Sequence, residues 1–162
     1  MPDEVALSSS ARRVQDALDA AGVTTRIVEY DVPARTSAEA AAVLGCAVGQ
    51  IAKSLVFKAA SGVPVLVIAS GALRVDEARI GALAGEAIGK ADAAFVRTVT
   101  GYAIGGIPPL AHAQPLRTFI DRNLLQYDTV YAAGGTPHAM FPIAPADLVR
   151  VAGGIVADTA PG

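Results

Sequence analysis

A single cysteine, no tryptophan and no surplus of basic residues narrow what this 162-residue chain can be. Cys46 has no second cysteine to pair with, so an internal disulfide and a Cys-x-x-Cys motif are both excluded. Two histidines without His-x-x-x-His spacing argue against a zinc site built by the protein alone. There is no Walker loop, no dinucleotide fingerprint after a strand and no Gly-x-Ser-x-Gly elbow, so no cofactor is expected and covalent hydrolysis lacks its usual residues. Thirteen basic against fifteen acidic residues give a net charge of -2, without the global basic signature of a non-specific nucleic-acid binder. A DNA partner is therefore not expected, and an RNA partner would have to be held locally. Arg12, Arg13, Arg74, Arg79, Lys90 and Arg97 are scattered, as charges that only keep a surface wet also are. The N-terminus lacks a basic segment followed by an apolar targeting core. No apolar run reaches the roughly 20 residues that span a bilayer. The expectation is a cytoplasmic protein with no membrane partner.

What the chain does have is apolar mass: 52% hydrophobic against 17% charged residues, enough for one compact domain and opposed to disorder. Residues 1–9 read as a flexible tail and 10–160 as a single domain. A helix is expected from Ser10 to Gly22, with Val14, Leu18 and Ala21 on one stripe, and a second over 36–45 from the Thr36 to Glu39 capping spacing and the closing Gly45. Further helices are expected over 75–83, 92–97 and 144–151. Strands are expected over 26–30, 51–58, 63–69, 116–121, 129–133, 138–143 and 155–157, with 51–58 and 63–69 forming a hairpin across Ala59-Ala60-Ser61-Gly62. Strands outnumber crossover helices, so the fold class is α/β in the α+β sense: a mixed, strongly curved central sheet with helices packed around it.

Lys53 is the residue that asks for a reason, because it interrupts the apolar run Ile51-Ala52-Lys53-Ser54-Leu55-Val56-Phe57. A lone ammonium in such a run needs a partner, or it opens an edge strand and snorkels to water. Two glycine-rich stretches, Gly101-Tyr102-Ala103-Ile104-Gly105-Gly106-Ile107-Pro108-Pro109 and Ala133-Gly134-Gly135-Thr136-Pro137-His138, can bring backbone close to an anionic or acyl ligand, or serve only as turns. Cys46, among small residues at a helix end, reads as packed rather than nucleophilic. What remains is chemistry by positioning: a water, a base that the substrate can supply, and backbone N–H groups at Gly105, Gly106, Gly134 and Gly135 aimed at a developing oxyanion.

These segments carry a resemblance. With Thr36-Ser37-Ala38-Glu39-Ala40-Ala41, Leu44-Gly45, Gln50 to Phe57, Pro64-Val65-Leu66-Val67, Gly101 to Pro109, Val130 to Gly135, Phe141 to Leu148 and Gly154-Ile155-Val156 in order, the chain resembles the YbaK/EbsC-type free-standing aminoacyl-tRNA editing proteins. Those are relatives of the editing domain inserted in some bacterial prolyl-tRNA synthetases. The resemblance spans about residues 10 to 160 and implies a YbaK-like fold.

It also implies a division of labour. Lys53 matches the family's functional lysine, near the terminal phosphate and the acyl ester of charged tRNA. The Gly101–Pro109 segment matches the loop beside the aminoacyl-adenosine end, and Gly134-Gly135 a second loop lining the same pocket. The implied activity is hydrolysis of the ester of a mischarged aminoacyl-tRNA carrying a small amino acid. Lys53, Gly105 and Gly106 would be catalytic, Ser54, Gly101, Tyr102, Ile107, His112, Gly134, Gly135 and Met140 would bind substrate, and neither metal nor cofactor would be needed. The implied partners are the aminoacyl-tRNA acceptor end and a synthetase. A non-catalytic module that binds the same acceptor end or a synthetase is the alternative reading. Leu110-Ala111-His112-Ala113 and Thr136 to Met140 depart from the cysteinyl-specific members, leaving the amino acid open. Small or apolar residues near the loops, Ala103, Ile104, Ile107, Ala133 and Met140, suggest a pocket that excludes bulky side chains.

Overall fold

The computed structural model describes residues 7–31 and 36–161. The expected flexible tail falls largely outside them, but its last residues are ordered: Ser8 is the N-cap of α1 (Ser9–Ala20), its hydroxyl accepting the Ala11 N–H. The helix thus starts ahead of the expected Ser10, because Ser8 supplies an oxygen to an end that otherwise leaves N–H groups unpaired. Val14 and Leu18 are fully buried, as their spacing requires.

The strands are β1 (Val28–Glu29), β2 (Ile51–Ala59), β3 (Pro64–Ser70), β4 (Ile88–Lys90), β5 (Arg117–Asp121), β6 (Val130–Ala133), β7 (Ala139–Ile143) and β8 (Ile155–Ala157). Among the described residues they form one mixed sheet in the order β1-β7-β6-β2-β3-β5-β8, with β4 on β2. The expected strand over 26–30 shortens to two residues, and β4 was not expected, since Ile88-Gly89-Lys90 is too short for a visible alternation. β2 and β3 form the expected antiparallel hairpin, in register from Ala52 with Ser70 to Lys58 with Pro64. All seven residues of β3 are buried, the pattern of a strand covered on both faces.

Alternation along the strands separates the two faces. One face carries Ala52, Leu66, Ile68, Ile120, Ala132 and Phe141, covered by α1, by Tyr102, Ile107 and Leu110 of a long loop, by Val96 of α4 (Ala93–Thr100) and by Leu148 of α5 (Pro145–Ala152). The other face is covered in two patches. α2 (Ser37–Leu44) places Ala40 and Ala41 over Ile51 and Met140, and α3 (Glu77–Ala84) places Ile80 and Ala84 over Val65, Val67, Ala69 and Phe119. Each such large apolar side chain contributes about 1.5–3 kcal/mol when fully buried. α2 is capped as expected, Thr36 Oγ1 accepting the Glu39 N–H and Gly45 closing it at φ 72°. The C-terminal segment is docked: Thr159 is buried and its carbonyl accepts the Asp76 N–H. No helix among the described residues is long and apolar enough to cross a membrane.

Candidate functional site

The centre of the sheet is broken at one place. β3 pairs along the length of β2 on one edge; on the other edge β6 pairs only with Ile51 and Ala52, and β4 only with Phe57 to Ala59. Residues 53–56 lie between those two ladders, and all four are half-buried in a strand whose flanking residues are buried. The Ala59 N–H donates to Val63 and the Gly71 N–H to Ile51, so the odd-numbered residues of β2 direct their backbone groups to β3. Even-numbered residues point the other way. The backbone of Ser54 and the N–H of Val56 therefore face the break with no strand opposite. The Ser54 hydroxyl is buried too, with no hydrogen-bond partner among the described residues.

Lys53 lies at the same break. The β2–β6 register continued by one residue sets it beside Ala133, which pairs with Met140, while on its other side it pairs with Ala69. The β3–β5 register continued by one sets Ala69 beside Asp121. Paired residues share a face of a sheet, so Met140, Ala133, Lys53, Ala69 and Asp121 form one row on the face that α2 and α3 cover in separate patches. The lysine thus has only an alanine on each side.

Asp121 was not singled out from the sequence. It is fully buried, its Oδ2 accepting the Ser70 N–H at 3.1 Å and its Oδ1 accepting the N–H and the Nδ2 of Asn123, each at 2.9 Å. Burial pushes the Lys53 ammonium below its ordinary 10.5, and the charge of Asp121 opposes that shift.

The two glycine loops are brought together, at Gly105, Gly106, Thr136 and Pro137. A Cβ built on Gly106 would stand 2.6 Å from the Thr136 Cα, and one on Gly105 3.7 Å from the Pro137 ring. Gly106 donates its N–H to Ala103 at 3.0 Å and Gly134 donates to Ala139 at 2.7 Å, so both donors are committed within their own turns. The N–H groups of Gly105 and Gly135, at φ 91° and 105°, have no acceptor among the described residues. Gly134 and Gly135 back onto Ile27 and onto Ser10 and Val14 of α1.

The remaining expected site residues are placed differently from one another. Tyr102 is 1% exposed, donates its hydroxyl to Ala111 at 2.8 Å and carries the Arg13 guanidinium 5.1 Å above its ring. It and Ile107 belong to the core beneath the loop. Gly101 ends α4 at φ 85°. His112 is held by Nε2 against the Pro108 carbonyl at 2.7 Å, and burial pushes its pKa below the ordinary 6.5 in spite of that bond. Ala103 and Ile104 are exposed at the loop tip. Met140 packs with Ala40, Ala41 and Ile51. Among the described residues no three His, Cys, Asp or Glu side chains gather as a metal site.

The comparisons with known proteins agree with this architecture. Residues 31–151 match the family model of the aminoacyl-tRNA editing domain. A solved structure provisionally named a trans-editing enzyme for prolyl tRNA synthetase is 44% identical, with a TM-score of 0.91 over 97% of this chain and 100% of that one. Another, called hypothetical protein APE2540, is 35% identical, with a TM-score of 0.85 over 92% and 99% of the two chains. The uncharacterized protein YwhH of Bacillus subtilis (strain 168) is 26% identical over 122 residues, 75% of this chain and 78% of that protein. With most of its length inside the matched domain and the mixed sheet in place, the chain belongs to the aminoacyl-tRNA editing domain family, in its YbaK/EbsC-type trans-editing branch.

Proposed function

We propose that this protein is a trans-editing deacylase that hydrolyses the ester between a small amino acid and its tRNA. The observation that carries the reading is the position of Lys53: a half-buried ammonium at the break in the sheet, with alanines on both sides. In a partly desolvated site such a charge attracts phosphate and ester oxygens far more strongly than in water. A water adds to the ester carbonyl carbon, the carbonyl oxygen becomes an oxyanion, and the bond to the ribose oxygen breaks as a proton passes to that oxygen. Lys53 holds the acceptor end, while unbonded N–H groups at the break and at Gly105 face the oxyanion. Gly106 serves this arrangement by letting the two loops meet, a role in which no side chain fits. Ser54, Gly101, Gly134, Gly135 and Met140 shape the surroundings, with Tyr102, Ile107 and His112 supporting the loop from behind.

Ala133, half-buried beside Lys53, leaves room there for a short acyl side chain, which favours alanyl-sized groups over aromatic ones. The name given to the 44% identical structure makes prolyl-tRNA the first tRNA to test, with the prolyl synthetase as a partner in the cytoplasm. The test is release of amino acid from a panel of mischarged tRNAs. Binding of a non-hydrolysable aminoacyl-adenosine without any release would mark a recognition module instead.

A further inference from the structure

We infer that Asp121 is the positioning residue of Lys53, its buried carboxylate acting across Ala69 to keep the ammonium charged beside the break in the sheet. The inference rests on the reading of Lys53 given above. One strand, β3, separates the residues, so two strand spacings put roughly 10 Å between their backbones, and Ala69 is the one residue between them in the row. A longer side chain there would stand between the two groups; alanine leaves the way across the row open. The carboxylate cannot swing away, because Ser70 and Asn123 hold both its oxygens. No ion pair joins the two groups directly among the described residues, so the ammonium keeps its donors for a substrate oxygen.

The rest of this face offers no substitute. Tyr30, Cys46 and Tyr131 pack beside Ile51 and Met140, and burial raises the pKa of Tyr30 and Cys46, which keeps both neutral at pH 7. The covering helices carry Glu39 on α2 and Glu77 and Arg79 on α3. The field felt at Lys53 comes from Asp121.

The chain has three lysines, Lys53, Lys58 and Lys90, so the Lys53 Cε resonance can be assigned by substitution and titrated in the free protein. In Asp121→Asn, which keeps the side-chain shape, the Lys53 titration should move to lower pH, and the alkaline limb of the deacylation pH profile should move with it. A folded Asp121→Asn protein with an unmoved Lys53 titration would overturn the inference. In wild type, the Asp121 Cγ resonance should show a step at the pH where Lys53 loses its proton, a reading that needs no variant to fold. Absence of that step would also overturn it. Both resonance measurements are independent of turnover, so a protein that hydrolyses no ester would refute the proposed function while leaving this coupling separately decided.

Discussion

Gly106 lies so close to Thr136 that a Cβ added to it would reach the Thr136 Cα, carbonyl carbon and nitrogen at 2.6, 2.7 and 2.9 Å. These are backbone atoms, which cannot rotate aside as a side chain would. The contact is what joins the loop after α4 to the turn between β6 and β7, at the end of β6 that adjoins Lys53.

Gly106→Ala should therefore lower both stability and activity, since the loops must part by several tenths of an ångström or more. Gly105→Ala has room but sits at φ 91°, where an L side chain costs roughly 1–2 kcal/mol. Thermal unfolding alongside deacylation kinetics separates the two. A Gly106→Ala protein as stable and as active as wild type would contradict the contact.

Lys53→Ala and Lys53→Met should each reduce kcat/KM by roughly 10²-fold or more, the scale of misplacing a substrate whose positioning group is lost. Neither should destabilise the fold, because burial already disfavours the charge. Unfolding temperatures and single-turnover hydrolysis check this together. Activity per folded molecule that survives in either variant would return Lys53 to an architectural role.

Ser54→Ala removes a buried hydroxyl that has no partner among the described residues. An unsatisfied buried polar group costs about 1–3 kcal/mol, so the free variant should be as stable as wild type or more stable. Its affinity for an aminoacyl-adenosine analogue should fall. A variant that loses stability, or binds the analogue unchanged, would show that Ser54 does not wait for a ligand.

His112 gives a pH signature. Its folded-state pKa lies below the ordinary 6.5, so as pH falls below about 6.5 the unfolded chain takes up the proton first and stability drops. His112→Gln retains an N–H for the Pro108 carbonyl but does not titrate. Its unfolding temperature should fall less than that of wild type between pH 7 and pH 5. Parallel curves would contradict the buried placement.

Much of the fold was legible because its signals are local. Thr36 three residues before Glu39, glycine after the last helical residue, and two apolar runs around Ala60-Ser61-Gly62 each determine geometry through neighbours in sequence. Lys53 was legible for the same reason, as one charge in an apolar run. Asp121 was not, since its meaning comes from a register across β2, β3 and β5 that no local pattern states. Tyr102 and Ile107 illustrate the converse. They lie in a glycine-rich stretch that looks like a ligand loop, yet long-range packing turns their side chains into the core. Which glycine N–H groups stay unbonded was also invisible, because it depends on turn hydrogen bonds such as Gly106 to Ala103.

The most direct test of the account is the rate of amino acid release from tRNA charged with alanine, serine, threonine, cysteine, phenylalanine or tyrosine, across several tRNAs including that for proline. The account predicts release well above the uncatalysed rate for small amino acids, alanyl esters being cleaved faster than aromatic ones, and loss of that release in Lys53→Ala. No release from any of the esters would contradict the deacylase, and faster release of phenylalanine or tyrosine than of alanine would contradict the small site beside Lys53.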